Sequence, residues 1–153
     1  MADFSHLNDS AEGQMVDISA KAPTIRQASV EGAIRASQHC MENLTDNMIK
    51  EIITTARIAG TQGAKATSQL IPYCHPIPLT KVKIDIEVVE WSFQLTATAK
   101  TVGVTGVEME ALLACQIAAA TIYDMIKAVN PEAILGPFRL VEKSGGKSGV
   151  WTP

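Results

Sequence analysis

The chain has 153 residues, 46% of them apolar and 19% charged, a balance that builds one ordinary globular domain with a real core and excludes an intrinsically disordered protein. Its formal net charge of −3 excludes a general nucleic-acid binder, whose surface would be basic, and leaves an anionic ligand to a local cluster of Lys and Arg. Three cysteines, Cys40, Cys74 and Cys115, with no CxxC spacing argue against a disulfide framework.

Residues 1–14 are polar and carry neither the apolar core of a signal peptide nor the arginines of a transit peptide. No stretch approaches the length of a membrane span. The expectation is one cytoplasmic domain over 1–153, loose at 1–14 and 148–153. "MVDIS" (15–19) reads as a short extended segment. "APTIRQASVEGAIRASQHC" (22–40) has Pro23 near its start and apolar residues at Ile25, Ala28 and Ile34, which predicts a helix. A second helix is predicted over much of 47–70, ending before Pro72. The small residues of "ARIAGTQGAKA", with Gly60 and Gly63, would suit close packing in an oligomer.

"KVKIDIEVV" (81–89) alternates Val82, Ile84, Ile86 and Val88 with charged residues, and "WSFQLTATAK" (91–100) alternates Trp91, Phe93, Leu95, Ala97 and Ala99 with polar ones. Both are strands of period two. No Asn-Gly or Asp-Gly pair separates them, so their hairpin is either unusually tight or short of loop residues. "TGVEMEALLACQIAAATIYDMIKAV" (105–129) is the strongest helix, with Thr105 and Glu108 at capping-box spacing. "FRLVEK" (138–143) is a short strand leading into "SGGKSG". Alternating strands with helices at both ends predict an α+β fold, an antiparallel sheet covered on one face.

Four groups of residues suit chemistry on spacing alone, each with a plainer reading beside it. Asp124 and Lys127 are neighbours on a helix face and suit either an i,i+3 surface ion pair or a proton-transfer pair. Glu110 shares an arc of about 100° with them but lies fourteen residues away, roughly 21 Å of straight helix. One small molecule cannot span that distance easily, so joint action of the two ends would call for a site between subunits. In "IPYCHPIP" three prolines hold Cys74 and His75 on a stiff extended loop, suited to presenting His75 to a ligand or simply to shaping the chain. Adjacent Cys and His lack a second ligand pair, which disfavours a metal hydrolase. Lys143 and Lys147 flank the glycines of "EKSGGKSG" and suit a phosphate, although a soluble tail would look the same. Lys21, Arg26, Lys65, Lys81 and Lys100 are further cations that spacing cannot bring together.

"MVDISAK", "ARIAGTQGAK", "LIPYCHPIPLTKV", "TGVEMEALLACQIAAATIYDMIKAV" and "GPFRLVEKSGGKSG", in that order, resemble the molybdenum cofactor biosynthesis protein C family, the cyclic pyranopterin monophosphate synthases. The resemblance spans roughly 12–149. It implies a ferredoxin-like α+β fold, a homohexamer built as a trimer of dimers and an active site at a dimer interface. It also implies an enzyme that rearranges 3′,8-cyclo-7,8-dihydro-GTP to cyclic pyranopterin monophosphate with release of pyrophosphate. By motif, Asp124 and Lys127 match the family's catalytic pair. Tyr73, Cys74 and His75 match its substrate loop, with tyrosine where leucine is common. Met109 and Glu110 match a second substrate-binding pair, expected from the neighbouring subunit. Lys65, Lys143 and Lys147 match basic positions near the triphosphate. "NMIKEII" lacks the Gly-Asp that commonly follows the family's lysine there, so Lys50 is given no role. The resemblance implies no tightly bound cofactor and no protein-held metal, with Mg2+ at most accompanying the triphosphate or pyrophosphate. The alternative from a different class is a non-catalytic oligomeric module that binds a nucleotide or pterin; it would not need the Asp124–Lys127 pair.

Overall fold

Where polar and apolar residues alternate most regularly, the chain forms two strands of one hairpin. β2 and β3 span Leu79–Val89 and Ser92–Gly103. The residues paired at its closed end are Val89 and Ser92, so the turn holds only Glu90 and Trp91. It is the tight alternative: Glu90 takes a φ of +51°, and the Ser92 hydroxyl donates to the Val89 carbonyl at 3.0 Å. The structure, a computed structural model, describes residues 4–146 and 149–153.

The predicted first helix is instead a strand, β1 (Thr24–Arg35), paired along its whole length with β3. Ala28, Val30 and Ile34 are buried on one face. Gly32 shares that face and lies against the Phe138 ring and the Cys115 sulfur, with no room for a Cβ. The period of two was present in the sequence, masked by Gln, Glu, Ala and Arg residues that also suit a helix; pairing on both edges overrides that local preference. Only the last three residues of the expected helix, Gln38–Cys40, are helical, at the start of α1 (Gln38–Glu42). The second helix divides into α2 (Asp46–Lys65) and a single turn, α3 (Thr67–Leu70). α4 runs over Glu108–Ile126, followed by the short β4 (Ile134–Leu135), β5 (Arg139–Ser144) and the short β6 (Val150–Trp151).

The sheet order is β2-β3-β1-β5-β6, with β4 also paired to β1 and every pairing antiparallel. β1, α2, β2, β3, α4 and β5 thus follow the βαββαβ order of a ferredoxin-like α+β fold. α4 packs on β1 and β3, and α2 packs on α4 and β2. Between them lie Phe93, Leu95, Ile84, Ile86, Val30 and Ile34 from the sheet, with Ala111, Ala114, Cys115, Ala118 and Ile122 from α4.

Gly60 and Gly63 are used inside this core and not at an oligomer contact. A Cβ on Gly60 would stand 2.6 Å from the Ala114 carbonyl oxygen, and one on Gly63 would stand 2.8 Å from an Ile117 side-chain carbon. Their missing side chains let α2 and α4 approach. α4 is also long and apolar enough to cross a membrane by length and composition, contrary to the expectation that no stretch approached this; it is a core helix, half of that window buried against the sheet and α2. "MVDIS" joins no strand. Residues 4–14, expected to be loose, form a loop closed by a Leu7–Gly13 bridge and by the Asn8 side chain, whose carbonyl oxygen accepts from the backbone N–H of Ser10 and Glu12.

Candidate active site

The start of α4 organises the candidate site. Its N-cap is Val107, with no side-chain cap, so the Thr105–Glu108 capping box does not form. The Glu108 carboxylate lies over Gly106, just before the helix, and pairs with Lys143 of β5 at 3.2 Å. Glu110, in the first turn, is only 3% exposed, and its Oε2 has no hydrogen-bond partner among the described residues. Burial pushes its carboxyl up to about 7, opposed by a backbone hydrogen bond and reinforced by the charge of Glu108. A group with that pKa exchanges a proton readily at neutral pH, and a buried acceptor without a partner is an unmet demand for one.

The proline loop faces this helix start. After α3, the Cys74 N–H donates to the Ile71 carbonyl at 3.1 Å. The Pro78 carbonyl accepts from the Thr101 hydroxyl at 2.7 Å. Pinned at both ends, the loop brings Tyr73, Cys74 and His75 to a cleft of about 250 Å³, with Ile77 beside them and Met109, Glu110, Thr105, Gly106 and Glu108 opposite. Burial, and then the charge of Glu110, raise the Cys74 thiol, which keeps it protonated and a poor nucleophile. The loop and the Met109–Glu110 pair, expected on different subunits, therefore meet within one chain.

A smaller cleft of about 60 Å³ adjoins it, sharing Gly106 and Glu108 and lined otherwise by Arg26, Gln27, Lys143, Ser144, Gly145 and Gly149. Gly145 and Gly149 have φ of +98° and +64°, backbone that favours glycine. The register Gln27–Ser144 sets Arg26 beside this turn. Its Nε donates to the Gly103 carbonyl at 3.1 Å, and its guanidinium packs so closely on Gly146 that a Cβ there would overlap it. Arg26 and Lys143 make this end cationic.

The other expected residues lie elsewhere. Lys127 follows the last turn of α4, its ammonium 2.6 Å from the Asp124 carboxylate, both exposed. The hydrogen bond to Asp124, and then its charge, raise the Lys127 pKa, so the lysine is held as an ammonium in the isolated chain. The face that carries this pair begins buried at Glu110 and Leu113, passes Ile117 half-buried, and reaches solvent at Ala120. Lys65, exposed at the end of α2, lines neither cleft. Lys147 lies outside the described residues. Lys50 is exposed on α2. Among the described residues no three His, Cys, Asp or Glu side chains converge as a metal site.

Arg26 and His6 are among the cleft residues not selected from the sequence. Arg26 was one cation among several, and only the β1–β5 register brings it to Lys143. His6 carried no spacing signal; it lines the larger cleft with its ring stacked on Tyr73, centroids 6.1 Å apart.

A family model described as the MoaC family matches residues 15–146. A protein of Roseiflexus sp. (strain RS-1) named cyclic pyranopterin monophosphate synthase is 46% identical over 97% of this chain and 97% of its own. A protein of the same name from Corynebacterium efficiens is 44% identical over 99% of each. A de novo designed protein with ferredoxin fold, solved by NMR, aligns at a TM-score of 0.45 and 14% identity over 74% of this chain and 83% of that one; the fold assignment rests on strand order and not on that alignment. Matched by its model over most of the length and this similar to relatives along nearly the whole of both chains, the chain belongs to the MoaC family.

Proposed function

We propose that this chain is a cyclic pyranopterin monophosphate synthase of molybdenum cofactor biosynthesis. It would rearrange 3′,8-cyclo-7,8-dihydro-GTP to cyclic pyranopterin monophosphate and release pyrophosphate. The observation that carries the reading is the pair of contiguous clefts, chemically divided as such a substrate is divided. The larger has Tyr73, Ile77 and Met109 with the buried Glu110, which suits a heterocycle carrying N–H groups. The smaller has Arg26, Lys143 and a glycine turn, which suits phosphates. Arg26 and Lys143 outnumber the shared Glu108 at the smaller cleft, and no Lys or Arg among the described residues lines the larger, so charge sets the orientation.

The reaction must open the imidazole-derived ring, move protons on nitrogen and carbon, and drive a hydroxyl against the α-phosphorus so that the bond to pyrophosphate breaks. Lys127 is the group proposed to donate and accept protons, with Asp124 orienting it. His75 and Glu110 hold the ring, while Lys143, Lys65 and Lys147 neutralise the triphosphate. Mg2+ enters only as a companion of the triphosphate or pyrophosphate. In one chain Asp124 stands roughly 21 Å along α4 from Glu110. The site is therefore proposed to be completed by another copy, whose α4 end brings Asp124 and Lys127 to these clefts, within a hexamer built as a trimer of dimers. Burial there would lower the Lys127 pKa from its raised value and free it to act as a base.

The test is turnover of 3′,8-cyclo-7,8-dihydro-GTP by wild type and Lys127→Ala, scoring pyrophosphate and the cyclic pyranopterin. Wild-type turnover with a loss of about a hundredfold or more in the variant, binding retained, is expected for a lost acid–base group. Binding by the wild type with no turnover would move the assignment to a non-catalytic nucleotide- or pterin-binding module.

A further inference from the structure

The loop over residues 4–14 is not an idle terminus, because two of its residues engage Tyr73. The His6 and Tyr73 rings stack with planes 18° apart. Gly13 lies so close to the phenol that a Cβ would stand 2.6 Å from its oxygen. The Leu7–Gly13 bridge holds these two residues together, and the Gln14 N–H donates to the His6 carbonyl at 2.9 Å.

The same geometry fixes the chemistry of the imidazole. His6 Nδ1 is 3.2 Å from the Gln14 carbonyl oxygen, which can only accept, so Nδ1 carries the proton. In the neutral ring Nε2 is then an acceptor, and it is the nitrogen left for a ligand. His6 lines the larger cleft, whose remaining walls are Tyr73, Met109 and Glu110 among others, and has no place in the cationic one.

We infer that His6 is a ligand-binding residue of the larger cleft: the N-terminal loop, seated on Tyr73, presents its Nε2 as an acceptor to an N–H donor of the bound heterocycle. This rests on the reading that the larger cleft takes the ring of a cyclised guanine nucleotide, whose amino and ring N–H groups are such donors. The loop makes few buried contacts beyond Tyr73, since most of residues 4–15 are exposed, so it can leave and return as ligand exchanges.

The experiment uses the full chain labelled with 15N-histidine, with the His6 signals identified by their absence in His6→Phe, and adds 3′,8-cyclo-7,8-dihydro-GTP. The variant keeps an aromatic ring to stack on Tyr73 but has no acceptor, and its circular dichroism serves as the check on folding. A shift of the His6 Nε2 resonance on binding, with KM raised about three- to tenfold in His6→Phe and kcat lowered less, is the expected result for one neutral hydrogen bond. Wild-type turnover with the His6 resonance unmoved and KM unchanged in the variant would overturn the inference and leave the proposed activity standing. A shifted resonance without any turnover would sink the proposed activity and uphold His6 as a binding residue. No binding at all would overturn both.

Discussion

Glu110 shows how one residue's surroundings set its chemistry. On an exposed helix face it would be an ordinary acid; here burial holds its proton to about pH 7. An unfolded chain ionises it near 4.5, so between those values the folded state binds more protons and stability falls as pH rises. The loss is complete above 7. Glu110→Gln removes the titration, and its stability relative to wild type is expected to rise by on the order of 3 kcal/mol between those two pH values and then level off. Urea unfolding of both proteins at pH 4 and pH 8.5 measures this. Equal differences at the two pH values would mean that Glu110 ionises normally in the fold. Ligand binding should lose its dependence on pH near 7 in the same variant, because the amide that replaces the carboxyl does not titrate.

At the scale of elements, the approach of α2 to α4 decides where the helix start stands. Gly60 sits against the Ile84 side chain and the Ala114 carbonyl, with 2.5 and 2.6 Å left for a Cβ. Backbone on one side cannot yield as a side-chain end can. Gly60→Ala gains about 1 kcal/mol of helix propensity and is nonetheless expected to destabilise by about 1–3 kcal/mol through overpacking. Ile58→Ala on the exposed face of the same helix should fall within about 0.5 kcal/mol of wild type. Chemical denaturation of the two variants separates packing from propensity, and a stabilised Gly60→Ala would show that the helices can move apart freely. The uncapped start of α4 belongs at this scale too. Val107 supplies no side-chain cap, and the first turn borders both clefts through Glu108.

For the whole molecule, the question is whether Glu110 and Lys127 serve one site from two copies. Lys127→Ala and Glu110→Ala are each expected to be inactive. Mixed after subunit exchange in equal amounts, they should recover roughly a quarter of wild-type activity, the fraction of shared sites that receive an intact half from each copy. A mixture that stays inactive, in a protein that does exchange subunits, would place both residues in service within one chain or in separate roles. A stable monomer in solution would remove the shared site altogether.

Much of the architecture was legible locally. The alternation in 81–89 and 91–100, the long apolar helix and the final short strand are direct imprints of which face is buried, and the motifs of the resemblance pointed to the ferredoxin-like order. Composition and periodicity by themselves determined an α+β domain, because burial on one face leaves a period in the chain. The remainder depended on partners distant in sequence. β1 looked helical until β3 and β5 flanked it; Gly60 and Gly63 looked like an oligomer seam until α4 filled the gap; Thr105 and Glu108 looked like a cap, but the N-cap is Val107 and Glu108 pairs with Lys143. Arg26 and His6 entered the clefts only through strand register and a loop packed on Tyr73. Tertiary structure alone decided these positions, since a side chain's neighbours, and hence its proton affinity and its use, are set by pairings that no local window of sequence contains.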